Sequence, residues 1–467
     1  MSAWATTIRR ALPFAIALGI WFSPVPDGLT PQAWHLFAIF VSAIGAVLLG
    51  AFPLLTASTI AVAAVVLTGT LSPANAFSGF ANSSVLLVVV AFIVAQAVVK
   101  SGLGRRISLL MVSRLGGSPL GIAYSIVLTD AAIAPAFPSN TARAGVLFPI
   151  VLSVAQGADS HPDDPEKRRL GGYLMFSTMA SLAVSSALWM TATSANPIGV
   201  QIARQSGFSV GFGSWFLAAS VPAIIAIVLL PLFVARLFPP RVDATPDAPE
   251  SARRELAALG SMSRDERITA VTFVVMVAAW VGADSLGLNV TSIAFMGLGV
   301  LLASGVLTLD DMAEQGETLS TFLWLAVLFA LSGQLNELGF MSYVGERLAS
   351  QMGGLSWPAT YVILIVLYVV IHYLFVSQSS QVLALLGVFL DVGVRGGVPL
   401  ALMAFGLLFA SSYFSAITPQ GGSQNIIFAA SGYLTQRELY RLGLLTTLAF
   451  LAVFLLIGTP WVLFVTR

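Results

Sequence analysis

The chain has no cysteine and little charge. Without a thiol there is no disulfide, no thiolate metal site and no cysteine nucleophile. Charged residues make up 9% of the 467 positions, against roughly 25% in soluble domains. A net charge of +1 offers no footing for nucleic acid. The three histidines, His35, His161 and His372, are scattered, so they form neither a metal-ligand cluster nor a nucleophile–base pair, and an enzyme is not expected. Binding chemistry falls to hydroxyl, amide and guanidinium groups.

What the chain has is apolar sequence, 57% of its residues. A helix that spans a bilayer needs roughly 20 predominantly apolar residues, and about eleven such runs are present together with shorter ones. The expected fold is an all-α polytopic membrane protein in contact with the lipid bilayer. Arg9-Arg10 and the apolar run from Ala11 to Phe22 have the order of a signal peptide. No small-residue cleavage site precedes Pro24-Val25-Pro26, so a retained first helix is expected.

Residues Pro239 to Glu266 interrupt the pattern with proline, acid and arginine near mid-chain. They divide the sequence into a first half, 1–240, a cytoplasmic linker, 241–267, and a second half, 268–467. The halves match at intervals. Gly69-Thr70-Leu71-Ser72 aligns with Gly305-Val306-Leu307-Thr308 at an offset of 236, Leu103-Gly104 with Leu338-Gly339 at 235, and Ser139 with Ser377 at 238. Near-constant offsets indicate an internal repeat, and matched interruptions in two halves point to a transporter's binding site.

The interruptions are polar. Pro138-Ser139-Asn140-Thr141-Ala142-Arg143 and Val376-Ser377-Gln378-Ser379-Ser380 each break an apolar run. Irregular backbone at membrane depth is tolerated only where protein covers it or it lines a cavity. Both are therefore read as tips of re-entrant hairpins, at about 120–157 and 358–394. Basic residues mark cytoplasmic loops. With the amino terminus inside, that side receives Arg9, Arg10, Lys100, Arg105, Arg106 and the linker arginines, while Arg204, Arg347, Arg395 and Arg467 fall outside. The halves then run in opposite senses and their tips meet near the midplane.

Arg143 is the basic residue this threading leaves unplaced. Three readings stand: contact with or compensation of an anion, a structural pair with Asp130, or a side chain reaching cytoplasmic water. His372, five residues before the second tip, either packs in a helix or lines the site. Two further breaks, Thr191 to Pro197 and Thr418 to Asn425, join hydroxyls, amides, glycine and proline. Half-helix ends of this kind hold anions at their N-termini and cations on exposed carbonyls.

Ser139-Asn140-Thr141 resembles the first Ser-Asn-Thr signature of the divalent anion/sodium symporter family. The longer Pro-Ser-Asn-Thr-Ala-Arg is similar to its citrate/succinate and 2-oxoglutarate/malate translocator branch. Met190-Thr191-Ala192 with Asn196-Pro197, His372 to Phe375 and Ala429 to Tyr433 extend the likeness over nearly the whole chain. The resemblance implies a homodimer of protomers, each with a scaffold and a transport domain that carries the site across by an elevator movement. Ser139, Asn140 and Thr141 would then bind one carboxylate and Ser377, Gln378 and Ser379 the other, with Arg143, Thr418 and Pro419 beside them. In sodium-coupled members Na⁺ is held at positions that map to Ser139, Asn140, Thr193, Ser194, Asn196, Gln378, Thr418 and Gly421. Here the second signature reads Ser-Gln-Ser, and Arg143 can offset a dianion as bound Na⁺ does. The expectation is exchange of di- or tricarboxylates across the inner membrane, with no resident cofactor. The alternatives are Na⁺-coupled dicarboxylate or sulfate symport and, more remotely, an anion channel.

Overall fold

The computed structural model describes residues 3–164, 167–313, 316–351, 354–375 and 377–467. Among them there is no strand. Hydroxyl and amide caps start the helices, often with proline behind the cap. Ser118 accepts from the Gly121 N–H ahead of Pro119, and Asn82 and Asn289 accept from the next amides of Ser83–Ser101 and Val290–Ala303. Among the described residues, seven helices are long and apolar enough to cross a membrane by length and composition, and four more apolar helices run 14 to 16 residues. Pro119–Ala136, half of the expected first hairpin, is one of the seven.

The centre of the molecule is Arg168–Leu188, buried at every position from Leu170 to Leu188. Around it pack Phe212–Leu237, Leu400–Tyr413 and the pair Pro119–Ile133 and Asn140–Gly157. That pair is one helix–break–helix unit; Trp357–His372 and Gln378–Arg395 form the other. Val376, assigned to the second break, lies outside the described residues.

Several features recur in the two halves. Gly69 and Gly305 both have left-handed φ, +70° and +76°, and the residue two positions on donates back six, Leu71 to Val65 and Leu307 to Leu301. Gly102 and Gly339 end Ser83–Ser101 and Gly316–Glu337 at φ +80° and +79°, where a Cβ would be strained. This corrects the pairing of Gly104 with Gly339. The equivalent of Gly339 is Gly102, because only the left-handed position demands glycine, and the offset there is 237.

Each of these glycines leads into a short connecting helix, Leu103–Leu115 in the first half and Phe340–Gln351 in the second. The first packs on Pro119–Ile133 and on a linker helix, Asp247–Leu259; the second packs on Gln378–Arg395. The linker is fixed in place. Thr245 bonds the carbonyl of Gly116 at 2.7 Å, Arg105 pairs with Glu255 at 2.8 Å, and buried Arg106 grips Glu266 through two nitrogens at 2.6 and 3.0 Å.

Candidate functional site

Ser139 and Ser377 are both N-caps in extended backbone, φ −143° and −130°, each accepting from the N–H three residues on. They turn the chain into Asn140–Gly157 and Gln378–Arg395 and aim those helix N-termini, with their partial positive charge, at the tips. Opposite the tips lie two unwound stretches, 189–194 and 414–422. One asparagine draws each together. Asn196 Nδ2 donates to the carbonyls of Ser186 and Trp189 at 2.7 and 3.1 Å, and Asn425 Nδ2 to those of Ser415 and Thr418 at 2.6 and 2.9 Å. The sequence spacings, ten and seven residues, are the same in both halves.

Tips and stretches are latched crosswise. Thr141 Oγ1 donates to Ser423 Oγ of the second half at 2.6 Å, and Ser379 and Ser194 hydroxyls meet at 2.9 Å. Ser194 N–H also bonds the carbonyl of Pro138 at the first tip. So the structure gathers Ser139, Asn140, Thr141, Ser194, Asn196, Ser377, Gln378, Ser379, Thr418 and Gly421 around one crossing of the halves. Thr193 is buried in the first stretch, and Pro419 begins the 3-10 turn of the second.

Arg143 lies behind the tip. Its guanidinium is fully buried and donates to Asp130 at 2.7 Å, to Ser185 and Ser186 at 2.5 and 2.6 Å, and to Asn140 Oδ1 at 2.6 Å. Asp130 accepts further from Ser181 and Ser185 at 2.9 and 2.7 Å. Of the three readings of Arg143, the pair with Asp130 is the one these bonds match. The charge is neutralised inside the protein by Asp130, whose two oxygens are filled, while Arg143 Nε is left without a partner among the described residues. What Arg143 does is orient Asn140. Oδ1 accepts from both Arg143 and Ser186, each at 2.6 Å, so Nδ2 is turned away from them, buried and unpartnered among the described residues.

In the second half Gln381 stands at the Arg143 position, 238 residues on, the offset that also relates Ser139 to Ser377. Its Nε2 donates to the Tyr368 carbonyl at 2.9 Å, which turns Oε1 toward His372 Nδ1 at 2.6 Å. The other ring nitrogen faces the Gly421 carbonyl at 2.6 Å. The ring is thus held between Gln381 and Gly421, with one oxygen facing each nitrogen. Gln378 Nε2 is the second buried tip donor without a partner among the described residues.

The Na⁺ expectation meets this network. Asn140 Oδ1 is filled by Arg143 and Ser186, Gly421 O accepts from His372, and Asn196 Oδ1 accepts from Ser412 at 3.2 Å. Asn140 Oδ1 thus has both acceptor positions taken, while Asn196 Oδ1 and Gly421 O each keep one. Among the described residues no group of acidic, histidine or cysteine side chains could hold a metal.

A cavity of about 1160 Å³ reaches Ser139 and Thr141 along the Asn140–Gly157 helix and is walled by Ser83–Ser101, the first connecting helix and the linker. The second tip does not line it. Sequence reasoning missed Ser181, Ser185, Ser186 and Gln381, while Ser423 lies in the break read from Thr418 to Asn425. The serines of Arg168–Leu188 gave a signal, hydroxyls at helical spacing in an otherwise apolar run, and Gln381 was reachable from the repeat offset alone.

Residues 5–466 match the family described as the sodium:sulfate symporter transmembrane region. The chain is 37% identical to dicarboxylate transporter 2.1, chloroplastic, of Arabidopsis thaliana and 35% to dicarboxylate transporter 2, chloroplastic, of Spinacia oleracea, in each case over 98% of this chain and 82% of the relative. It is 30% identical to the citrate/succinate antiporter of Escherichia coli, over 98% of this chain and 99% of that one. Its fold is similar to the YdaH transporter of Alcanivorax borkumensis, with a TM-score of 0.56 and 17% identity, covering 83% of this chain and 86% of the other.

Proposed function

The chain belongs to the sodium:sulfate symporter family, the divalent anion/sodium symporters, and from that membership we propose that it exchanges di- or tricarboxylates such as malate, succinate, 2-oxoglutarate or citrate across the inner membrane. It is a multi-pass membrane transporter and not an enzyme. The observation that carries the reading is the pair of tip amides. Asn140 Nδ2 and Gln378 Nε2, one from each half, are buried donors with no partner among the described residues. A buried donor left unpaired costs about 1–3 kcal/mol, and a carboxylate is the ligand that satisfies it most strongly. Two such donors beside two helix N-termini suit an anion with a carboxylate at each end, the class named for the relatives.

Exchange is favoured over Na⁺ coupling by the filled oxygen of Asn140, which two donors already occupy. In the first half a protein cation takes that place, Arg143 holding the tip amide, and in the second half His372 bridges Gln381 and Gly421. In this reading the amino terminus is cytoplasmic, the halves 1–240 and 268–467 are inverted repeats, and the cavity at the first tip is the cytoplasmic route. The tips and unwound stretches travel together as an elevator within each protomer of a dimer. Na⁺ symport is the second reading. Its support is a set of buried oxygens in the second half, Ser415 Oγ, Thr418 Oγ1 and Asn425 Oδ1, without partners among the described residues.

The test is uptake of labelled malate into liposomes preloaded with unlabelled malate, with Na⁺ or K⁺ outside. Uptake that requires internal substrate and ignores the cation is expected. Uptake into empty vesicles driven by Na⁺ refutes exchange.

A further inference from the structure

One wall of the cavity comes from the chain between the halves. Val242, Thr245, Ala248, Ser251 and Arg254 line it, facing Ala142, Gly145 and Pro149 on the tip helix. This wall is rigidly held. Besides the bonds at Thr245, Glu255 and Glu266, Arg253 donates to the Ser113 carbonyl at 3.3 Å, and Ala252 packs with Leu109 and Val112. Arg254 therefore has helix-bound neighbours on both sides, both anchored to the first connecting helix.

The charges that line the cavity are Arg105, Asp159, Asp247, Arg254 and Glu255. Arg105 and Glu255 pair with each other at 2.8 Å. Asp159 pairs with Lys167 at 2.5 Å and His161 at 3.2 Å. Asp247 sits in the first turn of the linker helix, where the helix dipole favours a carboxylate. Among the described residues no carboxylate pairs with Arg254, which is exposed. Arg254 and Asp247 are the lining charges that no ion pair among the described residues compensates, and Arg254 is the cationic one.

Its place along the route is also fixed. A Cβ on Gly104 would lie 3.1 Å from Val146 Cγ1. The start of the connecting helix thus meets the tip helix one turn beyond Ala142, about 6 Å of helix rise. Arg105 follows Gly104, and its partner Glu255 follows Arg254. On the proposed cytoplasmic route, an anion moving between solvent and Ser139 goes by this point.

We propose that Arg254 is a recruitment site for the carboxylate of the transported anion, on the linker face of the membrane and ahead of the two tips. It rests on the proposed function only in taking the anion to be a carboxylate. The guanidinium offers a bidentate fork to a carboxylate while staying solvated, so it concentrates substrate at the entrance without holding it. Because it stands on one face only, its effect is one-sided.

The test compares wild type with R254Q, R254E and R254K in right-side-out and inverted membrane vesicles, reading initial dicarboxylate exchange against external substrate. Expected for R254Q is a KM raised about three- to tenfold with the linker face outward, an unchanged kcat and an unchanged KM at the opposite face. R254E raises it further, R254K restores it to within about twofold, and the shift shrinks as salt rises, since exposed charges are screened beyond roughly 10 Å at 0.1 M. An unmoved KM, an equal shift at both faces, or a loss of kcat alone overturns the proposal. If wild type carries no dicarboxylate, the proposed function falls instead, and the same measurement with sulfate decides the role of Arg254.

Discussion

Replacing Gly345 and Asp391 together by cysteine should lock the protein in the state described here. Gly345 lies in the second connecting helix and Asp391 in the second tip helix, and the two are packed so closely that a Cβ built on Gly345 stands 3.3 Å from Asp391 Cβ and 2.0 Å from its Oδ2. Disulfides span Cβ separations of about 3.5–4.5 Å, so a shift of a few tenths of an ångström closes the bond. The same contact predicts that Gly345→Ala alone is strained by about 1–3 kcal/mol, while removing the Asp391 carboxylate in the double variant relieves it. The protein has no cysteine of its own, so the introduced pair are its only thiols. Maleimide labelling should count two thiols before mild oxidation and none after. Exchange should fall about tenfold or more on oxidation and return with reductant, because the proposed movement separates these helices. A disulfide that forms while exchange continues unchanged refutes the movement; a pair that never oxidises refutes the packing.

Asn140→Asp and Gln378→Glu keep shape but replace a donor with a negative charge, and each should raise the KM for dicarboxylate by about a hundredfold or abolish transport. Concentration-dependent exchange in liposomes checks this, and an unchanged KM removes that tip from the site. Arg143→Ala leaves Asp130 charged and buried, at a cost of about 3–5 kcal/mol; the Arg143→Ala/Asp130→Ala double variant should recover much of the lost melting temperature without recovering transport. Additive losses in the double variant contradict the pairing. At the linker, the bond from Arg106 holds the Glu266 carboxyl below its usual range, helped by the cap at Ser263. A depressed folded-state pKa adds stability that is present above the ordinary carboxylate value and is lost as pH falls through the depressed one. The melting temperature of wild type should therefore converge on that of Glu266→Gln as pH is lowered below about 4.5. A gap between them that holds constant to pH 3 argues against the ion pair.

Class and candidate site were legible in the sequence to different depths. Composition alone excludes a soluble enzyme, and the polar breaks stand out because lipid leaves irregular backbone no partners. The register of the repeat was legible only to within two residues. Leu-Gly occurs at both positions, and the left-handed φ that distinguishes Gly102 from Gly104 is a property of the folded chain. Arg143 was legible as a residue needing explanation. Its partners were not, because Ser181, Ser185 and Ser186 approach it from a helix some forty residues away. Local spacing names Asp130 as a candidate partner, but the bonds that also commit Asn140 come from tertiary packing.

The two halves agree at the tips and differ at the connecting helices, and that difference bears on how the site is exposed. Hydroxyl pairs join each tip to the opposite unwound stretch, so the four segments resist separation and are suited to move as one body. The connecting helices cannot be equivalent in one state. The second lies against its tip helix; the first is separated from its own by the cavity except near Gly104 and Val146. In the proposed inverted repeat, exchanging these two arrangements would close one side and open the other. The linker is attached to the first connecting helix through Leu109, Val112, Ser113 and Arg105. Gly104, which meets the tip helix, is not among these anchors. In the proposed movement, closing the cavity brings the tip helix toward a surface already braced from behind, with the linker as its fixed wall.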